Sequence, residues 1–235
     1  VVGRREDGYH LLQSHFRLID WSDTLDFARR DDGLIRRTHE LPGVPESADL
    51  TLRAARLLQE RLGTPYGVDL TLHKVLPAGA GLGGGSSDAA TTLIALNRLW
   101  NGGLSRAQLM ELGLKLGADV PFFLFGEDAF VEGIGERLTP YPGPERWFVV
   151  LWPGIHVPTA QVFASPRLTR NTPIGTIASL AATPLRNDLE PVVRALFPEV
   201  DAALEWLARH AGMARMSGSG SCVFAEFAEP SEAER

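Results

Sequence analysis

The alternation of hydrophobic and polar residues predicts two strands and a helix in the first third of the chain. Val68–His73 alternates cleanly, with its apolar residues on one face, and Thr24–Ala28 repeats the pattern over a shorter run. Between them, Leu50–Leu62 has apolar residues at helical spacing and is followed by Gly63, a residue that commonly ends helices. A strand, a helix and a second strand are therefore expected in this order.

A glycine-dense stretch, Pro77–Ser87, follows the second strand and leads into Asp88–Trp100, which is apolar along one helical face. Ser105 and Gln108 then have the spacing of a capping box, in which each residue satisfies a backbone N–H at the start of a helix. The pattern predicts a loop, a helix from Asp88, and another helix that continues to Leu116.

The stretch Pro140–Arg146 is rich in proline, glycine and charge, and it predicts a domain boundary. We expect an N-terminal domain of residues 1–141 and a C-terminal domain of residues 142–235. Because strands and helices do not alternate strictly, the fold class expected is α+β. The elements predicted beyond the boundary are strands at Trp147–Trp152, Arg215–Met216 and Val223–Phe227, and helices at Asp188–Phe197 and Val200–Ala211.

Composition narrows the classes of protein. The 235 residues are 44% hydrophobic, enough for a sizeable core, and a net charge of −6 leaves no broad basic surface for nucleic acid. Cys222 is the single cysteine, which excludes an intrachain disulfide framework and fits a reducing compartment. No apolar run is long enough to cross a membrane, so a soluble cytoplasmic protein is expected. The chain begins without Met at Val1, and we expect both ends to be truncated.

The glycine-dense stretch has the composition of a phosphate cradle. Its five glycines allow positive φ and close backbone approach, so that successive N–H groups can face one anion. The helix that follows adds the partial positive charge of its N-terminus. Ser86 and Ser87 would place hydroxyls where a β-phosphate or a Mg²⁺ ion lies. The structural alternative is a flexible glycine turn.

Two other kinds of nucleotide loop fit the same stretch less well. A Walker A loop requires a lysine after its last glycine, where this chain has Gly85-Ser86-Ser87. A dinucleotide fingerprint fits Gly79, Gly81 and Gly84, but it also requires an acidic residue about 20 positions later at the end of a strand. The end of a helix is expected there instead. Neither a Walker A loop nor a dinucleotide fingerprint therefore fits the residues and elements that follow these glycines.

Three segments in order carry a family resemblance. Pro77–Ser87 resembles the ATP-binding motif of the GHMP kinase superfamily, Leu116–Phe123 resembles its catalytic aspartate segment, and Ser217–Ala225 resembles its third motif. Weaker matches at Asp7–His10 and Arg170–Pro173 extend the similarity over nearly the whole chain. The resemblance implies a two-domain GHMP kinase fold with the active site in the cleft between the domains.

The resemblance also assigns roles around ATP. Asp119 would accept or orient the proton of the acceptor hydroxyl; the alternative is a helix N-cap ahead of Pro121. The family pairs this aspartate with a lysine on a strand that would precede Val1. Asp49 departs from the asparagine usual at the family's adenine edge, since a carboxylate cannot donate as an amide does. The implied ATP-binding residues are Lys74, Pro77, Ala78, Gly79, Ala80, Gly81, Leu82, Gly83, Gly84, Gly85, Ser86 and Ser87, with Ser87 also a candidate Mg²⁺ contact.

On the acceptor side, the resemblance implies that Tyr9 and His10 help to bind a cytosine ring, with Phe163 stacking on its other face. The structural alternatives are an ordinary turn with a half-buried aromatic at Tyr9 and a plain tight turn at Ser217–Ser221. The implied substrate-binding residues are Tyr9, His10, Thr159, Phe163, Ser217, Gly218, Ser219 and Gly220. The other histidines share no metal-ligand spacing, and Cys222 is expected to be a small buried residue.

The activity implied is transfer of the γ-phosphoryl group of ATP, with Mg²⁺, to the 2-hydroxyl of 4-diphosphocytidyl-2-C-methyl-D-erythritol, a cytidine diphosphate-linked polyol of the non-mevalonate route to isoprenoid precursors. One alternative keeps the fold and changes the acceptor to homoserine, mevalonate or a sugar. Another is a GHMP-fold protein that binds ATP without turnover. Oligomeric state is left open.

Overall fold

The computed structural model describes residues 1–178 and 186–234. The N-terminal part contains β1 Gly3–Arg4, β2 His10–Phe16, β3 Thr24–Arg30, β4 Ile35–Arg37, α1 Leu50–Leu62, β5 Gly67–His73, α2 Gly84–Leu99, α3 Arg106–Leu116, α4 Val120–Phe125, β6 Ala129–Gly133 and β7 Arg137–Pro140. The C-terminal part contains β8 Trp147–Leu151, α5 Thr159–Ala164, α6 Glu190–Leu196, α7 Pro198–Ala211, β9 Arg215–Met216, β10 Val223–Phe227 and α8 Pro230–Ala233. The mixture of sheets and helices confirms the α+β class.

The described strands form three sheets, with the orders β1-β2-β6-β7, β3-β5-β4 and β8-β10-β9. In the second sheet, β3 runs antiparallel to β5, while β4 runs parallel to β5. The alternating apolar face predicted for β5 is confirmed, since Val68, Leu70 and Leu72 are all buried. Strand β5 ends at His73, so Lys74 and the glycine-rich stretch follow this sheet directly along the chain.

Helices α1 to α4 pack on the inner face of β5 and form one core around Leu58, Leu93, Leu112 and Val120. The predicted end of α1 is confirmed, because Gly63 has φ 60° and caps the helix in the left-handed conformation. The predicted capping box of α3 is also present, with both reciprocal hydrogen bonds formed. This core holds the starts of α2 and α4 next to each other.

A second core lies under the sheet β8-β10-β9, where α6 and α7 contribute Val192, Val193, Leu204 and Leu207. The strands and helices predicted beyond Arg146 are confirmed, with boundaries that differ by at most two residues. Cys222 is fully buried in the sheet region, and burial raises the pKa of its thiol to about 11. No helix in the described ranges is long and apolar enough to cross a membrane.

Candidate active site

The glycine-rich stretch forms a loop whose last residues already belong to α2. The predicted start of this helix at Asp88 is wrong: α2 begins at Gly84, with Gly83 at the N-cap in the left-handed conformation, φ 69°. Gly79 and Gly81 also have positive φ, at 65° and 80°. The first N–H groups of α2 have no intrahelical acceptor, so they remain available to an anion at this end of the helix.

The loop rests on a second glycine-rich loop, Ser217–Cys222. The backbone N–H of Cys222 donates to the carbonyl of Ala80 at 2.9 Å, and the Ser217 hydroxyl donates to the carbonyl of Gly81 at 2.8 Å. A Cβ placed on Gly81 would lie 2.3 Å from the Ser217 carbonyl oxygen. The Ser217 hydroxyl therefore supports the cradle in this structure, and the substrate contact predicted for Ser217 stays a prediction.

Other predicted acceptor residues lie beside this second loop. The hydroxyl of Thr159, at the first turn of α5, is 2.7 Å from the hydroxyl of Ser219. His156, to which the sequence assigned no function, places Nδ1 3.1 Å from the Gly79 carbonyl oxygen. Through these contacts the C-terminal part of the chain lies against the glycine-rich loop. A separate cavity lined by residues such as Asn187 contains none of the predicted site residues.

Lys74, predicted to approach ATP, lies between two carboxylates next to the first turn of α2. Its Nζ is 2.5 Å from Asp23 and 2.8 Å from Asp88. Neither aspartate was predicted as a site residue from the sequence. A Cβ on Gly84 would lie 3.1 Å from Nζ, which places the ammonium directly against the start of the helix. Lys74, Asp23 and Asp88 thus form a charged cluster, here called the Lys74 cluster.

The three groups of the Lys74 cluster have different proton affinities. Burial raises the pKa of Asp88 to about 6, because the hydrogen bond from Lys74 does not fully offset it and Asp23 adds repulsion. Burial also acts on Asp23, but hydrogen bonds from Lys74 and from the N–H groups of Leu76 and Val75 outweigh it and lower its pKa. Burial opposes the charge of Lys74, yet its two hydrogen bonds raise its pKa. Lys74 is therefore a firmly held cation.

Asp119 precedes α4, and its side chain makes no capping hydrogen bond to that helix. Asp119 thus occupies the N-cap position, as the structural alternative predicted, but its side chain does not cap the helix. The residue is open to solvent on one side, yet the protein around it removes enough water for burial to raise its pKa. Phe123, one turn further along α4, packs where a Cβ on Gly83 would lie, at 2.7 Å. Asp119 is thus four residues before a side chain of α4 that contacts the cradle.

The predicted cytosine residues are brought together only in part. The rings of His10 and Phe163 stack at 4.8 Å between centroids, tilted by 32°. Tyr9 lies in the preceding turn with 58% of its surface exposed. The structure thus pairs Phe163 with His10, while Tyr9 is free to cover a ring from the solvent side.

Asp49 makes two contacts within the protein that account for a carboxylate where the family usually has asparagine. It caps α1 by accepting from the backbone N–H of Thr51 at 2.9 Å, and it is ion-paired with Arg37 at 2.9 Å. Both side chains of this pair are buried. The carboxylate is thus committed to the protein, so it is not available to read an adenine edge.

Comparison with known proteins identifies the class of this molecule. Residues 49–127 match the GHMP kinases N terminal domain, and residues 168–235 match the GHMP kinases C terminal model. The chain belongs to the GHMP kinase family and is a kinase. The glycine cradle falls in the first match and the Ser217–Cys222 loop in the second.

Within the GHMP kinase family, the chain is similar to kinases whose names state their substrates. The chain is 61% identical to the 4-diphosphocytidyl-2-C-methyl-D-erythritol kinase of Azoarcus sp. strain BH72, over all of this chain and 83% of the relative. It matches a crystal structure of 4-(cytidine 5'-diphospho)-2C-methyl-D-erythritol kinase with TM-score 0.82 and 37% identity, covering 100% of this chain and 88% of that one. A homoserine kinase from Cytophaga hutchinsonii shares the fold, with TM-score 0.72 and 20% identity over 90% of this chain and 78% of that one.

Proposed function

We propose that this protein phosphorylates the 2-hydroxyl of 4-diphosphocytidyl-2-C-methyl-D-erythritol with ATP, and that it does so in the cytoplasm. The observation that carries the proposal is the 61% identity to a kinase of this name along the whole chain. Three features of the structure support it: the glycine cradle, Lys74 held by Asp23 and Asp88, and an Asp119 side chain that makes no capping hydrogen bond. We place these features in one cleft between residues 1–141 and 142–235.

In the proposed reaction, ATP lies with its phosphates on the loop before α2. The free N–H groups of the first helical turn and the helix dipole stabilise phosphate charge there. Lys74 adds a cation beside Gly84 that Asp23 and Asp88 keep in place. The cradle residues Pro77 to Ser87 bind through backbone groups, which is why glycine is needed at the closest approaches.

The acceptor hydroxyl faces Asp119. Its oxygen bonds to the γ-phosphorus while the bond from that phosphorus to the β–γ bridging oxygen breaks, and ADP leaves with the bonding electrons. The proton of the hydroxyl passes to the Asp119 carboxylate. A raised pKa suits this role, because the carboxylate then holds the proton more readily than an ordinary aspartate does.

Mg²⁺ fits this cleft as a partner of ATP. Within residues 1–178 and 186–234, no group of three or more His, Cys, Asp or Glu could hold a metal ion. Mg²⁺ commonly keeps waters and takes its remaining ligands from substrate phosphates and one or two protein oxygens. The Ser87 hydroxyl, in the first turn of α2, would supply such an oxygen. The ion would neutralise phosphate charge.

The cytidine end of the acceptor would bind at His10 and Phe163. Tyr9 would cover the exposed face of the base, and Thr159 and Ser219 would lie along the path from the base to Asp119. A pyrimidine suits this surface because flat rings bind flat rings with favourable stacking. The cytidine requirement separates this acceptor from homoserine, mevalonate and sugars.

A coupled assay of ADP release on the full-length enzyme tests the proposal. Turnover with the diphosphocytidyl acceptor should exceed turnover with homoserine, mevalonate and galactose by at least about 10³-fold in kcat/KM, as expected when a site built for polar groups meets an acceptor lacking them. Comparable rates with homoserine or mevalonate would reassign the acceptor. ATP binding without ADP release for any acceptor would point to a non-catalytic protein.

A further inference from the structure

Arg170 is a half-buried arginine that joins the two rings of the candidate base site. Its Nη2 donates to the backbone carbonyls of Phe163 and Ser165, both at 2.8 Å, and its Nη1 donates to the carbonyl of Leu168 at 3.1 Å. Its Nε donates to Nε2 of His10 at 3.1 Å. One guanidinium therefore holds the backbone that carries Phe163 and the ring that stacks on Phe163.

The hydrogen bond to His10 has a chemical consequence for that ring. A guanidinium has donors only and keeps its protons, so Nε2 of His10 must accept and cannot carry a hydrogen. In a neutral imidazole the hydrogen is then on Nδ1, which becomes a donor. Across the part of the chain that the structure describes, no hydrogen bond is formed by Nδ1 of His10.

We propose that Arg170 is a positioning residue that fixes His10 as the Nδ1–H tautomer, so that the base site offers a hydrogen-bond donor beside the Phe163 ring. The ligand class this selects is a flat heterocycle with an acceptor atom on its edge. The inference deepens the proposed function and rests on it for the identity of that heterocycle, a cytosine with its acceptor atoms.

The electrostatic surroundings agree with a neutral His10. Burial lowers its pKa, and the positive charges of Arg170, Arg4 and the N-terminus lower it further. The charged groups facing the ring are thus cations. A protonated His10 would place two donors opposite each other at the Arg170 contact, which the observed geometry does not accommodate.

Histidine tautomers can be read directly from a two-bond proton–nitrogen correlation spectrum of the full-length enzyme. Wild type should show protonated Nδ1 and unprotonated Nε2 for His10. Arg170→Met should lose this pattern and give a mixture or the opposite tautomer. Arg167→Ala, which removes an exposed arginine three positions away, should leave the spectrum unchanged. A His10 that carries its hydrogen on Nε2 in wild type, or an unchanged spectrum in Arg170→Met, would overturn the proposal.

Kinetics add a second readout. In Arg170→Met, KM for the diphosphocytidyl acceptor should rise about 10-fold, while KM for ATP stays within about twofold, since one set of contacts is lost on the acceptor side only. If Arg170→Met does not fold, the wild-type spectrum alone decides the proposal, because a His10 that carries its hydrogen on Nε2 contradicts the contact with Arg170. An equal rise in both KM values would contradict the assigned position. If the acceptor is not a substrate at all, the spectrum still decides the tautomer separately from the proposed function.

Discussion

At the scale of single residues, three aspartates near the cradle have environments that give them different tasks. Asp23 is held ionised by Lys74 and by two backbone N–H groups. Asp88 shares the same lysine but is buried, so its pKa is raised to about 6. The Asp119 side chain makes no capping hydrogen bond to its own helix, and the loss of surrounding water raises its pKa. Only Asp119 is therefore free to take a proton from a substrate.

The raised pKa of Asp88 predicts a pH-dependent stability. Because the folded pKa of Asp88, about 6, lies above the ordinary aspartate value of 3.8, this group stabilises the fold at low pH, and that contribution is lost as pH rises through about 6. Asp88→Asn removes the effect. We expect the free energy of unfolding of Asp88→Asn, relative to wild type, to rise by about 1–3 kcal/mol between pH 4 and pH 7.

Urea unfolding at several pH values measures this difference. Asp23→Asn is the matched control, because the pKa of Asp23 is lowered and its stabilisation is present at high pH and lost as pH falls. The two variants should therefore deviate from wild type in opposite directions with pH. If the stability difference between Asp88→Asn and wild type did not change with pH, the pKa of Asp88 would not be raised in the folded protein.

Sequence reasoning found the residues whose signal is local. The cradle and Asp119 stand in short motifs, and their roles follow from glycine content and motif order. Asp23 and Arg170 were missed as site residues because their partners are distant, 51 positions away at Lys74 and 160 positions away at His10. A lone aspartate or arginine carries no local pattern, so only the folded chain reveals these contacts.

At the scale of elements, the boundary between loop and helix was harder to predict than the elements themselves. Leu50–Leu62 was predicted with its observed bounds because periodicity and the terminal glycine agree. The start of α2 was placed four residues late, since Gly84 and Gly85 have low helix propensity and are read as loop. Strand β2, His10–Phe16, gave no signal because all its residues are half-buried and its polarity does not alternate.

The contact between the two glycine loops predicts that Gly81→Ala weakens ATP binding. The new Cβ would lie 2.3 Å from the Ser217 carbonyl oxygen, and φ of 80° disfavours any side chain. The loops must separate, so we expect Kd for ATP to rise about 10-fold or more and stability to fall by about 1–3 kcal/mol. Calorimetry and thermal melting measure the two effects.

Gly103→Ala is the matched control for backbone strain. Gly103 has φ of 64° and open space around its Cβ position, and it lies beyond the other end of α2. Its substitution should cost about 1 kcal/mol of stability and leave Kd for ATP unchanged. Equal ATP affinity in both variants would show that the loop contact does not shape the cradle.

At the scale of the whole molecule, the site is made by segments from both parts of the chain. The cradle precedes α2, Asp119 precedes α4, and the Ser217–Cys222 loop joins β9 to β10 and bonds to Ala80 and Gly81. The order of three motifs was enough to predict the family. The sequence could not show that the third motif supports the first through hydrogen bonds, because that depends on how the sheets are packed.

The kinetics of Asp119→Asn test the central claim, that this cleft transfers phosphoryl groups with Asp119 as the proton acceptor. The amide keeps the shape of the side chain but cannot take the proton, so kcat with the diphosphocytidyl acceptor should fall by roughly 10²–10⁴-fold. Removing an aspartate with a raised pKa should not lower the melting temperature, and Kd for ATP should stay within about twofold. A folded, ATP-binding Asp119→Asn enzyme with kcat within about threefold of wild type would contradict the account, and positioning on the cradle alone would then explain the rate.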